Sequence, residues 1–289
     1  MDQKKHKKNV IKCTKTIRSK IGDIEPTIAI ILGSGLSGIT SHMTDKIVIE
    51  YKKLPGFPEL KVHGHIGEVI VGKLNNEYIM AFRGRQHFYE TSDSYPLKTL
   101  IRTIKALGVD KLFISNAAGS LDTEMKPTSL MVIKDHINLM GFNPLVGEND
   151  DDFGERFIPM AGAWDKDLSY KLKQAANNLG ITLEQGVYIA VRGPNFETPA
   201  EIAMMQKLGG NAVGMSSVPD CLIARHCGLK VVGCSCITNM GEGLSTENLN
   251  HEHTLKNADI ASDNFVKVVK EFLKVMQSQN TNLPPYIDL

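Results

Sequence analysis

Two apolar rhythms alternate along this chain. Short β-branched runs such as Thr27-Ile-Ala-Ile-Ile-Leu32 predict buried strands, and similar runs recur at 46–51, 68–72, 78–82, 111–115, 130–134, 187–191, 211–215 and 230–238. Between them the apolar positions shift to helical spacing. Residues 10–21 predict a short amphipathic helix ending near Gly22, and 168–179 predict another. Leu97, Leu100, Ile101, Ile104 and Leu107 form one helical stripe, closed by Gly108. Leu255, Ala258, Ala261, Phe265, Val269, Phe272 and Met276 form the last. Strands alternating with helices, without a repeat, a low-complexity tract or a linker, predict a single α/β domain over 1–289. Residues 1–8 and 279–289 are expected to be flexible.

Composition narrows the function classes. The 289 residues are 42% hydrophobic and 22% charged, enough for a full core, and the net charge of +1 gives no support for nucleic-acid binding. The basic start, Met1-Asp-Gln-Lys-Lys-His-Lys-Lys, lacks the apolar core of a secretory signal, and no apolar run reaches membrane-spanning length. Five cysteines suit neither a disulfide framework nor a paired zinc pattern, and Cys234 and Cys236 fall in an apolar strand. A reducing cytoplasm fits this usage.

Chemistry concentrates where strands stop. Behind strand 187–191 come Gly193-Pro-Asn-Phe-Glu-Thr198 and Pro199-Ala-Glu201. Thr198, Pro199 and Glu201 read as cap, first-turn proline and capping-box glutamate. Glu197 is left at the mouth beside Phe196, a carboxylate and a ring suited to a flat polar heterocycle. Ser217 and Asp220 read as a second capping box, leaving Met215 and Ser216 at another mouth. Gly33-Ser-Gly-Leu-Ser-Gly38 is formally G-x-G-x-x-G after a strand, and Glu50 stands where a ribose acid would. Too few residues follow Gly38 for a normal crossover helix, so a single phosphate fits these glycines better than a dinucleotide.

The remaining ends extend the pattern. Arg83-Gly-Arg-Gln-His-Phe-Tyr-Glu90 places Arg85, His87 and Tyr89 where an oxyanion and a sugar would be held, and Asn116-Ala-Ala-Gly119 permits close approach to backbone. Ser34, Arg85, His87 and Ser216 form an oxyanion set. Phe196, Glu197 and Asn239 suit a heteroaromatic base, with Tyr89 and Met215 over a sugar between them. The absence of a covalent nucleophile suggests that a bound phosphate itself attacks.

Taken in order, Gly33-Ser-Gly-Leu, Gly64-His65, Gly84-Arg-x-His-x-Tyr-Glu90, Asn116-Ala-Ala-Gly119, Gly193-Pro-x-Phe-Glu-Thr198, Val213-Gly-Met-Ser216, Ile237-Thr-Asn239 and His251-Glu252 resemble the trimeric purine nucleoside phosphorylases over nearly the whole chain. Asn239-Met-x-Glu-Gly-Leu244 and Phe153-Gly-Glu-Arg-Phe157 are similar to the bacterial branch, xanthosine phosphorylase included. The resemblance implies a central mixed, twisted β-sheet flanked by helices. It implies reversible phosphorolysis of purine (2′-deoxy)ribonucleosides, with inorganic phosphate as co-substrate and no cofactor or metal. Ser34, His65, Arg85, His87, the Ala117 N–H and Ser216 would hold phosphate. Tyr89, Asn116, Val213, Met215 and Thr238 would line the nucleoside, and His251 would reach its 5′-hydroxyl. Phe196 would pack on the base, Glu197 would accept from N1–H, and Asn239 would meet N7 and O6. His87, Glu197 and Asn239 would then be the catalytic group. Phe153 would close the neighbouring subunit's site in a homotrimer.

Thr91, Ser120 and Thr254 depart from the family's common residues at their positions. His63, His136 and His226 read as structural, and His251-Glu-His253 lacks a third metal ligand. Asn239, an amide, favours 6-oxopurines over 6-aminopurines. Within the class, xanthosine phosphorylase and methylthioadenosine phosphorylase stay open. Outside it stand a nicotinamide-dependent dehydrogenase using Gly33 to Gly38 and a catalytically silent nucleoside-binding protein.

Overall fold

In the computed structural model, residues 3–60, 66–245 and 251–278 are described, the side chains of 251–256 excepted. Among these residues nine strands form one mixed sheet in the order β2-β3-β4-β1-β5-β8-β7-β6-β9, and β9 also pairs with β5. The strands are β1 (Ala29–Leu32), β2 (Thr44–Glu50), β3 (Glu68–Leu74), β4 (Glu77–Arg83), β5 (Lys111–Ser120), β6 (Leu130–Asn138), β7 (Leu183–Ala190), β8 (Ala212–Gly214) and β9 (Lys230–Met240). The extra pairing closes β5, β8, β7, β6 and β9 into a ring, and β1 to β4 extend from it as an open wing. Parallel pairs (β1 with β4 and β5, β5 with β9, β6 with β7, β7 with β8) mix with antiparallel ones (β2 with β3, β3 with β4, β5 with β8, β6 with β9).

Strand β1 shows why the central runs are apolar throughout. Ala29 and Ile31 face one core, Ile30 and Leu32 the other, and all four are buried. On the first face lie α1 (Gln3–Ile21), α2 (Tyr95–Ala106) and α5 (Val218–His226); on the second lie α3 (Lys166–Asn178) and α6 (His251–Ser278). Phe113 of β5 meets Phe265 and Phe272 of α6 edge-on at 6.0 and 5.8 Å, an arrangement that fixes the helix across the ring. The short helix α4 (Pro199–Lys207) covers a smaller cluster, packing Ile202 and Met205 against Ile189 and Val213. All five cysteines, on α1, on and just past α5, and on β9, are buried free thiols. Among the described residues no helix is long and apolar enough to cross a membrane.

Three expectations change in extent. The first helix starts at Gln3, seven residues ahead of Val10, so most of the stretch expected to be flexible is helical, with His6 buried. Strands β5 and β6 run past 115 and 134, to Ser120 and Asn138. Residues 279–289 lie outside the described residues.

Candidate active site

Four of the five ring strands, the β1 end and the β4 end converge on one cavity of about 340 Å³. Its lining includes Ser34, Arg85, His87, Tyr89, Asn116, Ala117, Phe196, Glu197, Val213, Met215, Ser216, Thr238 and Asn239, nearly every residue the sequence singled out. His65 and the His251 side chain lie outside the described residues.

Ser34 reaches the cavity because the chain crosses β5 at close quarters. A Cβ on Gly33 would lie 2.7 Å from Asn116 Cα and 2.8 Å from the Ser115 carbonyl, so only glycine fits. Gly38 itself falls in a six-residue 3-10 turn, Ser37–His42, and then comes β2 at the sheet's far edge. No helix follows to carry a pyrophosphate on its N-terminus, so the G-x-G-x-x-G pattern does not build a dinucleotide site here.

Past β4, the backbone turns at Gly84 (φ 114°), whose carbonyl accepts from the Tyr51 hydroxyl at 2.9 Å. Arg85 then turns inward and is only 1% exposed. Its Nη2 donates to the carbonyls of Ser115 and Ile31 and its Nη1 to Ser217 Oγ at 3.0 Å, with Asp220 Oδ2 3.8 Å from Nη1. The guanidinium is thus held rigidly beneath the cavity by a carboxylate and backbone. His87 is fixed by Glu90, whose Oε1 accepts from the His87 backbone N–H at 2.8 Å and sits 3.4 Å from Nδ1. The His87 ring stacks on Tyr89 at 4.8 Å. Burial, with the Glu90 charge second, pushes the Tyr89 phenol up to about 12, so it stays a neutral donor.

Asn116 and Ala117 lie inside β5 rather than at its end, and Thr238 and Asn239 lie inside β9. The β5–β9 register slips between Ala118 and Gly119, opening the ladder beside the cavity. The Thr238 hydroxyl contacts Asn239 Oδ1 at 2.9 Å, and Asn239 Nδ2 donates to the Met240 carbonyl at 3.0 Å.

The capping box at Thr198 and Glu201 forms as the sequence predicts: Glu201 N–H donates to Thr198 Oγ1 at 3.2 Å, and Thr198 N–H to Glu201 Oε2 at 2.7 Å. Glu201 is therefore occupied, and Glu197 faces the cavity. Burial first, then the nearby Glu201 charge, raises the Glu197 carboxyl above its usual range. The Gly193–Pro194 peptide is cis.

The second capping box does not form. Ser217 makes no cap bond; it sits at φ 65°, ψ −42°, the centre of a tight turn closed by Val218 N–H donating to the Ser216 carbonyl at 2.7 Å. That γ-turn geometry is rare for a non-glycine residue and costs on the order of 1–3 kcal/mol. The Ser217 hydroxyl turns away from α5 to Arg85 Nη1 and to Asn116 Nδ2 at 2.9 Å, and it lies 3.2 Å from Ser216 Oγ. The Ser216 backbone N–H donates to the Tyr188 hydroxyl at 3.4 Å. A side chain at Gly214 would collide with that hydroxyl, its Cβ only 2.4 Å away. Ser217, Asp220, Glu90 and Tyr188 are the site's supporting residues that sequence reasoning missed or misassigned. The Ser217–Asp220 pattern gives a signal that points elsewhere, and Glu90 appears only as the end of its motif; apart from Glu90, which holds His87 three residues away, their partners are remote in sequence.

Phe153 does not line its own chain's cavity. Its ring lies under the Arg102 guanidinium, 4.1 Å from it, and edge-on to His6 at 5.7 Å. The loop carrying it is tied to α1 by Gln3 Nε2 donating to the Asn149 carbonyl at 3.1 Å and by a Lys7–Asp152 ion pair. His226 joins the same loop through Asn149 Oδ1 at 3.0 Å, and Trp164 Nε1 donates to His136 Nδ1 at 3.0 Å, so both histidines have structural partners. His63 lies outside the described residues.

A family model described as the phosphorylase superfamily matches residues 27–274. The chain is 42% identical over 245 residues to purine nucleoside phosphorylase 1 of Bacillus subtilis (strain 168), covering 85% of this chain and 90% of that one. The crystal structure of Schistosoma mansoni purine nucleoside phosphorylase in complex with inosine superposes with a TM-score of 0.87 at 36% identity, covering 95% of this chain and 98% of that one. The structure of the same organism's purine nucleoside phosphorylase in complex with adenosine gives 0.87 at 37% identity with the same coverage.

Proposed function

The chain belongs to the phosphorylase superfamily, and from that premise we propose that it is a purine nucleoside phosphorylase. Its reaction is the reversible phosphorolysis of 6-oxopurine (2′-deoxy)ribonucleosides such as inosine and guanosine, with xanthosine the open case, to free base and (deoxy)ribose 1-phosphate in purine salvage. One observation carries the reading: the oxyanion set (Ser34, Arg85, His87, Ser216) and the base-edge set (Phe196, Glu197, Asn239) line the same cavity.

Phosphate, the co-substrate, is held by Ser34, Arg85, His87, the Ala117 N–H and Ser216, with His65 assigned by its motif. Tyr89, Asn116, Val213, Met215 and Thr238 line the nucleoside, and Asn116 Oδ1, buried with no partner among the described residues, is an acceptor available to a sugar hydroxyl. His251 is assigned to the 5′-hydroxyl by motif. Phe196 packs on the base, Glu197 accepts from N1–H, and Asn239 meets N7 and O6.

Cleavage of the glycosidic bond leaves cation character on the sugar and negative charge on the purine. The phosphate dianion stabilises the first from below and then bonds to the anomeric carbon. Glu197 and Asn239 hold the purine edge as charge arrives there, so their bonds strengthen in the transition state. Each such charge-assisted bond contributes about 1.5–3 kcal/mol.

The working unit is a homotrimer in which Phe153 closes the neighbouring site. Phe153 stands outside its own cavity, and its loop exposes Val146 (77%) and Phe157 (87%), apolar surface suited to a subunit contact. The buried free thiols support a cytoplasmic location.

Cleavage of inosine and xanthosine, measured side by side with and without phosphate, tests the reading. Cleavage only with phosphate is expected. Cleavage that ignores phosphate would make the protein a hydrolase and overturn it.

A further inference from the structure

We propose that Ser217 is a positioning residue that aims the Ser216 hydroxyl proton at the bound phosphate. The proposal rests on the reading of this cavity as a phosphate site. A serine hydroxyl has one proton and two lone pairs. Both lone pairs of Ser217 are taken, by Arg85 Nη1 at 3.0 Å and Asn116 Nδ2 at 2.9 Å, each a donor only. The Ser217 proton therefore goes to its remaining polar neighbour, Ser216 Oγ, at 3.2 Å. Ser216 accepts that bond and keeps its own proton for the cavity it lines.

Every hydrogen bond in this relay runs the same way, from Arg85 and Asn116 through Ser217 and Ser216 to the anion. Aligned bonds in a dry interior polarise one another. Ser217 is fully buried, so water does not substitute for any link. The strained backbone supports the same conclusion. A serine that only capped α5 would take an extended conformation, whereas Ser217 is held at φ 65°, with its hydroxyl off the helix and on Arg85. Strain retained at such a point needs a compensating role.

The discriminating variant is Ser217→Gly, because glycine accepts φ 65° and removes only the hydroxyl and Cβ. Ser217→Ala is the second variant, keeping Cβ and removing the hydroxyl alone. Both are expected to raise the KM for phosphate about tenfold, the loss of one charge-assisted bond, with a smaller rise in the nucleoside KM through Asn116, whose Nδ2 also loses its partner. Thermal stability of Ser217→Gly is expected to fall less than that of Ser217→Ala, since it relieves the backbone. In a Ser216→Ala background neither substitution should raise the phosphate KM further, because the two act as one unit. A wild-type phosphate KM in both variants overturns the proposal, as does a loss that multiplies in full on Ser216→Ala or falls equally on the nucleoside. A wild-type protein that cleaves inosine without phosphate overturns instead the reading beneath it.

Discussion

The Thr238 hydroxyl contacts Asn239 Oδ1 at 2.9 Å while Asn239 Nδ2 donates to the Met240 carbonyl at 3.0 Å, so the amide is pinned with its oxygen toward Thr238. One N–H of that amide remains for the edge of a base, and a 6-oxo group is an acceptor. Asn239→Asp would set a carboxylate oxygen against the Met240 carbonyl and remove the donor. Its kcat/KM for inosine is expected to fall by about 100-fold, with the inosine-to-adenosine ratio moving toward adenosine. An unchanged ratio in a two-substrate assay would remove Asn239 from base selection.

In the proposed reaction Glu197 acts ionised, accepting from N1–H, and burial raises its carboxyl. The fraction ionised therefore falls earlier on acidification than for a solvated glutamate. The acid limb of kcat/KM for inosine should lie above the ordinary carboxylate value of about 4.3. Glu197→Gln should lower activity by about 100-fold and remove that limb; a limb that persists in the variant belongs to another group.

Gly33→Ala would drive a Cβ into backbone on β5, which has no room to yield. A loss of about 1–3 kcal/mol in urea denaturation is expected, together with a raised phosphate KM through displaced Ser34. Gly22→Ala is the matched control. Its φ is positive, but nothing lies within 4 Å of its added Cβ, so about 1 kcal/mol and no kinetic effect is expected.

His6 is buried beside Arg102 and Lys98, and burial first, then those charges, hold its folded value down at about 3, against an ordinary 6.5. Its neutral form is the folded one, so its contribution is complete above about pH 6.5. It is lost as pH falls from there toward the folded value, because only the unfolded chain takes up the proton. Urea midpoints across this window should slope less in His6→Gln than in wild type.

Features whose causes are local in sequence are legible in it. The Thr198–Glu201 cap and the stripes of α2 and, from Ala258 on, of α6 depend on neighbours three and four residues away, and they form as expected. Ser217 misleads because Ser-x-x-Asp describes a capping box equally well; Arg85, 132 positions off, claims its hydroxyl instead. The small residues after Asn116 suggest a strand end there, yet β9 pairs alongside and carries β5 on to Ser120. The basic N-terminal run reads as flexible, but His6 packs on Tyr95 and Phe153, contacts no local pattern announces. The cavity's residues can be named one by one from the sequence; the hydrogen-bond order behind them cannot.

The buried thiols make the chain its own reporter of partial opening. Cys13 sits on α1, Cys221 and Cys227 at α5, and Cys234 and Cys236 on β9. Burial pushes all five away from the reactive thiolate, Cys227 up to about 11 and Cys13 and Cys234 to about 12. An alkylating reagent reaches each only when its own element swings out. Peptide mapping of the labelled sites over time would therefore rank the first helix, the helix behind the Ser216–Val218 turn and the ring-closing strand β9 by how often each leaves the fold, without a single engineered label.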